Sequence, residues 1–199
     1  MKRQMFDVIR TEYKRYGRST LEGGFWVAVT YRYGAWSLTQ KFRPWRMLNS
    51  AVYFVMHFLT STVTKVYLER TTEVGADLHL IHATMIQIHP GVRIGERCGI
   101  MHNVTIGSNL YKYEVPVVGN DVFIGCGASI LGDVKIGDEA RIAANSLVIS
   151  DVPPGAVAMG VPAKIIPSMQ QLRSVKVAGR SDLTSVANDK KYAATGKIA

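Results

Sequence analysis

Cysteine is scarce in this chain, which has only Cys98 and Cys126 among its 199 residues. Both occupy apolar repeat positions without Cys-x-x-Cys or Cys/His spacing, which argues against a disulfide framework and a zinc site. This composition favours a reducing cytoplasm. The charged, aromatic start MKRQMFDVIRTEYKRYG has no short apolar run followed by a small-residue cleavage site, so the sequence predicts no secretory signal.

Acidic residues are scarce at both ends. The net charge is +9: residues 1–70 carry 12 basic and 4 acidic groups, residues 71–167 carry 6 and 9, and residues 168–199 carry 6 and 2. Phosphate tracking needs a continuous basic face, so the mildly acidic middle argues against nucleic-acid binding. The basic ends still allow an acidic glycan or peripheral contact with an anionic membrane, at its inner face.

The chain also lacks a long, uninterrupted hydrophobic run. Residues 47–68 could reach across a bilayer, but Asn49, Ser50, His57 and Lys65 would be costly in hydrocarbon. Apolar residues before position 67 recur at mixed three- and four-residue spacings, which predicts packed helices. We therefore expect a buried or interface-lying helix here rather than a spanning one.

A period of six dominates the rest of the chain. No amphipathic helix has this period, but short strands joined by tight turns do, with one aliphatic side chain pointing inward in each hexad. Three hexads make one triangular coil, and coils must stack to bury their inner faces, which predicts a solenoid of parallel strands. The aliphatic positions are Ile88, Ile94, Ile100, Ile106, Val118, Ile124, Ile130, Ile136, Ile142 and Val148.

The period divides the chain into three predicted regions. Residues 1–66 form a helical region, residues 67–167 a mainly β repeat domain, and residues 168–199 a polar C-terminal tail. Lys112 replaces an aliphatic residue within SNLYKYEVP, so that segment is expected to leave the wall as an exposed loop. The prolines and glycines of SDVPPGAVAMGVPAKII break the repeat and are expected to cap the last coil.

Two segments carry a family resemblance: HATMIQIHPGVRIGERCGIMHNVTIG, and IGCGASILGDVKIGDEARIAANSLVISDVPPGAVAMGVPAKII. They resemble serine acetyltransferases of the hexapeptide-repeat group, and YRYGAW resembles the helical region of such proteins encoded with polysaccharide genes. The resemblance implies a left-handed parallel β-helix, an exception to the usual crossover hand. It also implies a homotrimer that binds acetyl-CoA in a groove between neighbouring β-helices.

Acetyl transfer to a hydroxyl needs a base near the alcohol, and histidine titrates in the useful range. His82 begins HAT, where the family's catalytic histidine stands, and the resemblance therefore makes it the candidate base. His102, in IMHNVTIG, is the candidate for an acceptor-site role. His79 and His89 are interpreted as turn or surface residues, and His57 as part of a helix.

The resemblance breaks down around this histidine. Where the family has an orienting aspartate fifteen residues earlier, this chain has Tyr67. Glu69 is the candidate substitute because residues two apart on a strand project to the same face; a surface glutamate without catalytic duty is the alternative. Ile81 stands where the family has an acid.

Acetyl-CoA requires a long groove of backbone donors and small side chains, with a positive charge near its phosphates. Glycine and alanine are also demanded by β-helix corners, so the value of these positions lies in falling on successive coils. No cluster with metal-ligand spacing appears in the sequence, and no metal is expected. The positions that match the family are Gly107, Ser108, Gly127, Ala128, Ala143, Ala144, Asn145 and Lys164.

The acceptor is open between a sugar hydroxyl, on a polysaccharide or its precursor, and serine. The family's serine site uses an Arg-His pair where this chain has Glu114 and Val115. A zwitterion needs a fixed cation, whereas a sugar needs neutral hydrogen-bond partners and a stacking surface, so the residues favour a sugar. Serine, with Lys112 replacing the arginine, and a non-catalytic β-helix scaffold are the alternatives. The candidate acceptor-binding residues are His102, Asn109, Tyr111, Lys112 and Tyr113.

Overall fold

The structure is a computed structural model that describes residues 5–109 and 114–167. The candidate loop residues Tyr111, Lys112 and Tyr113, and the tail from residue 168, lie outside the described residues. Three helices come first: α1 (Met5–Arg15), α2 (Gly23–Leu38) and α3 (Arg43–Thr64). The mixed apolar spacing of the N-terminal region therefore reflects helices.

Helix α3 has clear start and stop signals in the sequence. Pro44 lies in its first turn, where the missing N–H would have had no helical partner. Lys65 ends the helix in the left-handed conformation, with φ 55°, and its N–H donates to the Ser61 carbonyl. Within the described ranges, no helix combines the length and apolarity needed to cross a membrane.

Short strands follow the helices and form three sheets. Sheet 1 contains β1, β4, β7 and β10; sheet 2 contains β2, β5, β8, β11, β13 and β14; sheet 3 contains β3, β6, β9 and β12. The strands are β1 (Glu73–Val74), β2 (His79–Ile81), β3 (Gln87–Ile88), β4 (Arg93–Ile94), β5 (Gly99–Met101), β6 (Thr105–Gly107), β7 (Val117–Val118), β8 (Phe123–Ile124), β9 (Ser129–Leu131), β10 (Lys135–Ile136), β11 (Arg141–Ile142), β12 (Leu147–Val148), β13 (Val157–Met159) and β14 (Lys164–Ile166).

The chain passes through the three sheets in turn, so every third strand pairs in parallel. Ile88 lies opposite Ile106, and Ile130 lies opposite Val148, each pair three hexads apart in the sequence. Ile106 lies opposite Ile130, four hexads on, because the segment after β6 occupies the additional hexad. Only β13 and β14 pair antiparallel among the described strands. The prediction of a mainly β, parallel β-helix with N-terminal helices is confirmed.

One hydrophobic core runs along the solenoid. All ten aliphatic positions of the six-residue period are at most 4% exposed. Burying such a side chain contributes about 1.5–3 kcal/mol relative to leaving it in water, so the stacked coils carry most of the favourable burial. The small residues four positions later, such as Val92, Cys98 and Ala128, are fully buried beside them.

The helices are attached to the first coil by polar contacts. The Tyr31 hydroxyl donates to the Thr72 carbonyl, and the Tyr16 hydroxyl accepts the backbone N–H of Leu80. Gly24 packs so closely that a Cβ atom there would collide with the Leu80 carbonyl oxygen. The helical region is thereby held against β2, the strand that leads into the candidate site.

Candidate active site

The turns between sheets 2 and 3 stack into a continuous edge. We call this edge the histidine corner; it comprises residues 82–85, 102–103, 126–127 and 144–145. Backbone hydrogen bonds join successive levels: Asn103 N–H donates to the Thr84 carbonyl, Gly127 N–H to the His102 carbonyl, and Asn145 N–H to the Cys126 carbonyl. Each level contains a residue in the left-handed region, at Met85, Asn103, Gly127 and Asn145.

The first level of the histidine corner is longer than the second. Leu80 and Ile88 are eight residues apart, whereas their partners Ile100 and Ile106 are six apart. The two additional residues therefore expand the turn that contains HAT. His82 opens that turn with φ 50°, an uncommon conformation for a residue with a Cβ, and its side chain is exposed. The expanded turn thus presents the imidazole to solvent.

His102 occupies the next level, beside His82. The two ring centroids are 6.3 Å apart and the ring planes meet at 61°. The Nδ1 atom of His102 is buried, and no described residue hydrogen-bonds to it. Buried polar atoms nearly always have a partner, so this nitrogen has unused hydrogen-bonding capacity next to the candidate base.

The histidine corner contains three of the positions predicted to bind acetyl-CoA, Gly127, Ala144 and Asn145, and two more, Ala128 and Ala143, adjoin it. Gly127 requires glycine, because its φ is 70° and a Cβ there would collide with Oδ1 of Asn145. Ala128 is buried and therefore lines the core, whereas Ala144 and Asn145 are exposed. Ala143, Ala144 and Asn145 form the turn that follows β11.

Lys164 lies beside the last level of the same corner. It is exposed and pairs with Met159 in the antiparallel β13–β14 ladder. The turn between these strands reaches sheet 3, where Gly160 and Ala163 exchange backbone hydrogen bonds with Leu147. The predicted cation therefore stands at the end of the corner that begins with His82.

Gly107 and Ser108 lie elsewhere, at the end of sheet 3 that faces sheet 1. They border an open groove of about 570 Å³. Its lining includes Tyr67, Gln87, His89, Thr105, Gly107 and Ser108. Sheet 3 thus separates these two predicted acetyl-CoA positions from the other six, and one chain does not bring all eight into a single pocket.

Sequence reasoning did not identify the groove-lining residues Tyr67, Gln87 and Thr105. They form one outward-facing row across sheet 3, in register through a bridge and a strand pair. The sequence did contain a signal for two of them. Gln87 and Thr105 each immediately precede an inward-facing aliphatic residue of the six-residue period, so their side chains must face outward.

Glu69 is exposed on the opposite side of sheet 3 from His82. Tyr67 bridges to Gln87, so Glu69 extends toward the groove of Gly107 rather than toward the histidine corner. Among the described residues, no hydrogen bond or ion pair joins Glu69 to His82. The role of Glu69 in orienting the imidazole stays a prediction.

The other histidines have structural contacts. His79 packs edge-on against Tyr16, with centroids 4.7 Å apart, and burial lowers the pKa of its imidazole. His89 Nδ1 accepts the Gly91 N–H, and His57 stacks on Tyr53 within α3. Within the described parts of the chain, no group of three potential ligand side chains could hold a metal ion.

Comparison with known proteins agrees with this architecture at two levels. Residues 116–150 match the family model for bacterial transferase hexapeptide repeats, which places the solenoid in the hexapeptide-repeat class of transferases. The chain belongs to the serine acetyltransferase family. It is 34% identical, over 119 residues, to a serine acetyltransferase of Helicobacter pylori strain J99, covering 57% of this chain and 70% of that protein.

Longer relatives are matched over a smaller share of their length. A serine acetyltransferase of Buchnera aphidicola is 40% identical over 109 residues, covering 53% of this chain and 42% of that protein. The chain thus spans less than half the length of this relative. The crystal structure of Brucella abortus serine acetyltransferase in complex with coenzyme A superposes with a TM-score of 0.68 and 25% identity, covering 82% of this chain and 66% of that one.

Proposed function

We propose that this protein is an acetyl-CoA-dependent O-acetyltransferase. The observation that supports it best is the pairing of His82 with His102, whose buried Nδ1 has no described partner, at the start of a corner that leads to Lys164. The relatives named serine acetyltransferase, one of them solved with coenzyme A, support the same reaction class.

In the proposed reaction, His82 accepts the proton of the acceptor hydroxyl. The freed oxygen bonds to the acetyl carbonyl carbon, the carbon–sulfur bond breaks, and the proton passes from the imidazolium to the departing sulfur. His102, beside His82, contacts the acceptor through the part of its ring that reaches the surface. Proton transfer by a positioned side chain typically contributes 10²–10⁴-fold in rate.

L-serine is the proposed acceptor, because the comparisons support it better than the sugar that the residues alone favour. A sugar hydroxyl is the second candidate. In its favour, Val115, at a position of the family's Arg-His pair, packs against the core, so it offers no polar group for a serine carboxylate. Asn109, one of the predicted acceptor-binding residues, is the last described residue before residue 110.

We further propose a homotrimer. The predicted acetyl-CoA residues lie on both sides of sheet 3, so a single chain cannot enclose the ligand. A neighbouring copy related by a three-fold axis would present one side of sheet 3 to the histidine corner of the next copy, as heterologous contacts do in closed rings.

Thiol release from acetyl-CoA tests the acceptor directly. We expect turnover with L-serine at a kcat/KM of about 10⁴ M⁻¹s⁻¹ or above, the range of ordinary enzymes. Turnover confined to members of a sugar panel would select the second candidate. Absence of thiol release with serine and all sugars would reject the transferase proposal in favour of a scaffold.

Replacement of Lys164 by glutamate should weaken acetyl-CoA binding severalfold at low salt, because it reverses a charge proposed to lie near the phosphates. Folding should be unaffected, since the side chain is exposed. The matched control is Lys135→Glu, the same charge change at the exposed residue of β10 in sheet 1. Calorimetric titration that gives equal affinities for both variants would remove Lys164 from the site.

A further inference from the structure

Helix α3 turns its polar side toward the protein. The buried Asn49 amide accepts a hydrogen bond from the Tyr33 hydroxyl of α2. The guanidinium of Arg70 donates to the Ser50 hydroxyl and lies 4.6 Å from the ring centroid of Tyr53. Hydrogen bonds and ring contacts, rather than aliphatic packing, therefore hold the inward face of α3 against the rest of the protein.

The outward side of α3 is apolar along the whole helix. Met47 is 72% exposed, Phe58 is 67% exposed and Val63 is 81% exposed. Monomeric proteins rarely expose so continuous an apolar surface, and such surfaces mark sites of contact with a partner or a membrane. We call this surface the α3 apolar face; its residues are Trp45, Met47, Leu48, Val52, Phe54, Val55, Phe58, Leu59 and Val63.

The charge around the α3 apolar face has one sign. Residues 23–68 contain no aspartate or glutamate and five basic residues. Arg43 begins α3 and Lys65 caps its end, and both side chains are exposed. The face is therefore bordered by cations at both ends of the helix.

This charge pattern distinguishes between the two simplest occupants. A second copy of α3 packed on the first would bring like charges together, whether the helices ran parallel or antiparallel. An anionic lipid surface would instead complement both the apolar side chains and the basic ends, as it does for amphipathic helices that lie in the membrane interface. Charge complementarity therefore favours lipid.

We propose that the α3 apolar face docks the protein on an anionic lipid surface, with α3 lying in the plane of the interface. A helix of 22 residues extends about 33 Å along the surface at 1.5 Å per residue. The contacts of Asn49 and Arg70 hold the helix to α2 and the solenoid, so the whole molecule would be carried to the membrane.

Vesicle co-sedimentation of the full chain tests this directly. We expect binding to phosphatidylcholine vesicles containing phosphatidylglycerol, little binding to pure phosphatidylcholine, and weakening as salt is added. The double variant Val55→Asn, Phe58→Asn should lose most of the binding, because both side chains are exposed and face the lipid. The control Ile149→Asn changes an equally exposed aliphatic outside α3 and should bind normally.

A second variant tests the electrostatic contribution to membrane binding. Each basic side chain near an anionic surface contributes about fivefold in partitioning, so Arg43→Gln combined with Lys65→Gln, both at exposed positions, should lower the partition coefficient by roughly tenfold or more. Circular dichroism of each variant checks that the helices remain. Equal binding to neutral and anionic vesicles, or none to either, would overturn the proposal.

A second copy is the competing occupant, and sedimentation velocity without lipid detects it. The proposal expects the same mass, about three times 22.0 kDa, for the wild type and for the Val55→Asn, Phe58→Asn variant. A larger assembly that this variant reduces to a trimer would show that the face is an interface between copies. Neither result depends on the transferase activity.

Discussion

Replacing His82 by alanine should lower the rate of acetyl transfer about a hundredfold or more, the usual scale for losing a general base. His82 is exposed at the expanded turn, so its loss removes a proton acceptor without opening a cavity in the core. The affinity for acetyl-CoA should remain nearly intact, because the residues proposed to bind it lie on other levels. Initial rates and a binding titration separate the two effects.

Two other histidines serve as matched controls. His102→Ala should cost less than His82→Ala and should appear mainly in the KM for the acceptor, because its proposed role is to bind the hydroxyl substrate. His57→Ala, within α3 and outside both the histidine corner and the groove of Gly107, should leave the rate of acetyl transfer almost unchanged. If His102→Ala proves more damaging than His82→Ala, the base is His102, and the assignment of His82 from its place in HAT is wrong.

Replacing Arg32 by methionine should destabilise the fold by about 3–5 kcal/mol, the usual cost of leaving one member of a buried ion pair uncompensated. Arg32 Nη2 lies 2.6 Å from Oε1 of Glu12, whose side chain is fully buried. The same guanidinium also donates to the carbonyls of Val74 and Gly75, which ties α1 and α2 to the first coil. The thermal midpoint should fall by roughly 6–20 °C.

The pH dependence of this loss identifies its cause. Burial raises the pKa of the Glu12 carboxyl despite the neighbouring Arg32, so folding favours the protonated form. Stability from a raised carboxyl pKa is fully present below the unfolded value and is lost as pH rises through the folded value. Without Arg32 the pKa rises further, so Arg32→Met should be least harmful at acidic pH and most harmful near neutrality.

A double variant separates the ion pair from simple packing. Glu12→Leu combined with Arg32→Met removes both charges and should recover much of the lost stability, because no buried charge remains uncompensated. Failure of the double variant to recover, with a loss independent of pH, would assign the effect to the Val74 and Gly75 hydrogen bonds instead.

The six-residue period was sufficient to predict the β-helix. Each aliphatic position can be buried only if the chain turns a corner every six residues, so the spacing specifies strand positions, inward faces and the three-hexad coil. The helices before residue 67 were predictable for the same kind of reason, because apolar residues three and four apart share one face of a helix. His82 was identified by the family resemblance of HAT, since a lone histidine carries no such signal.

The tertiary structure determined how the coils and helices are arranged relative to one another. It placed His102 beside His82 and put Gly107 and Glu69 across sheet 3 from them. Spacing within a strand gives the face of a side chain but not the corner toward which it extends. It also turned the apolar side of α3 outward: large side chains lie on both sides of that helix, and the buried ring of Tyr53 together with the polar contacts of Asn49 and Arg70 fixes the side that packs. The sequence alone determined the local period, while the arrangement of separate coils and helices depended on packing between residues far apart in the chain.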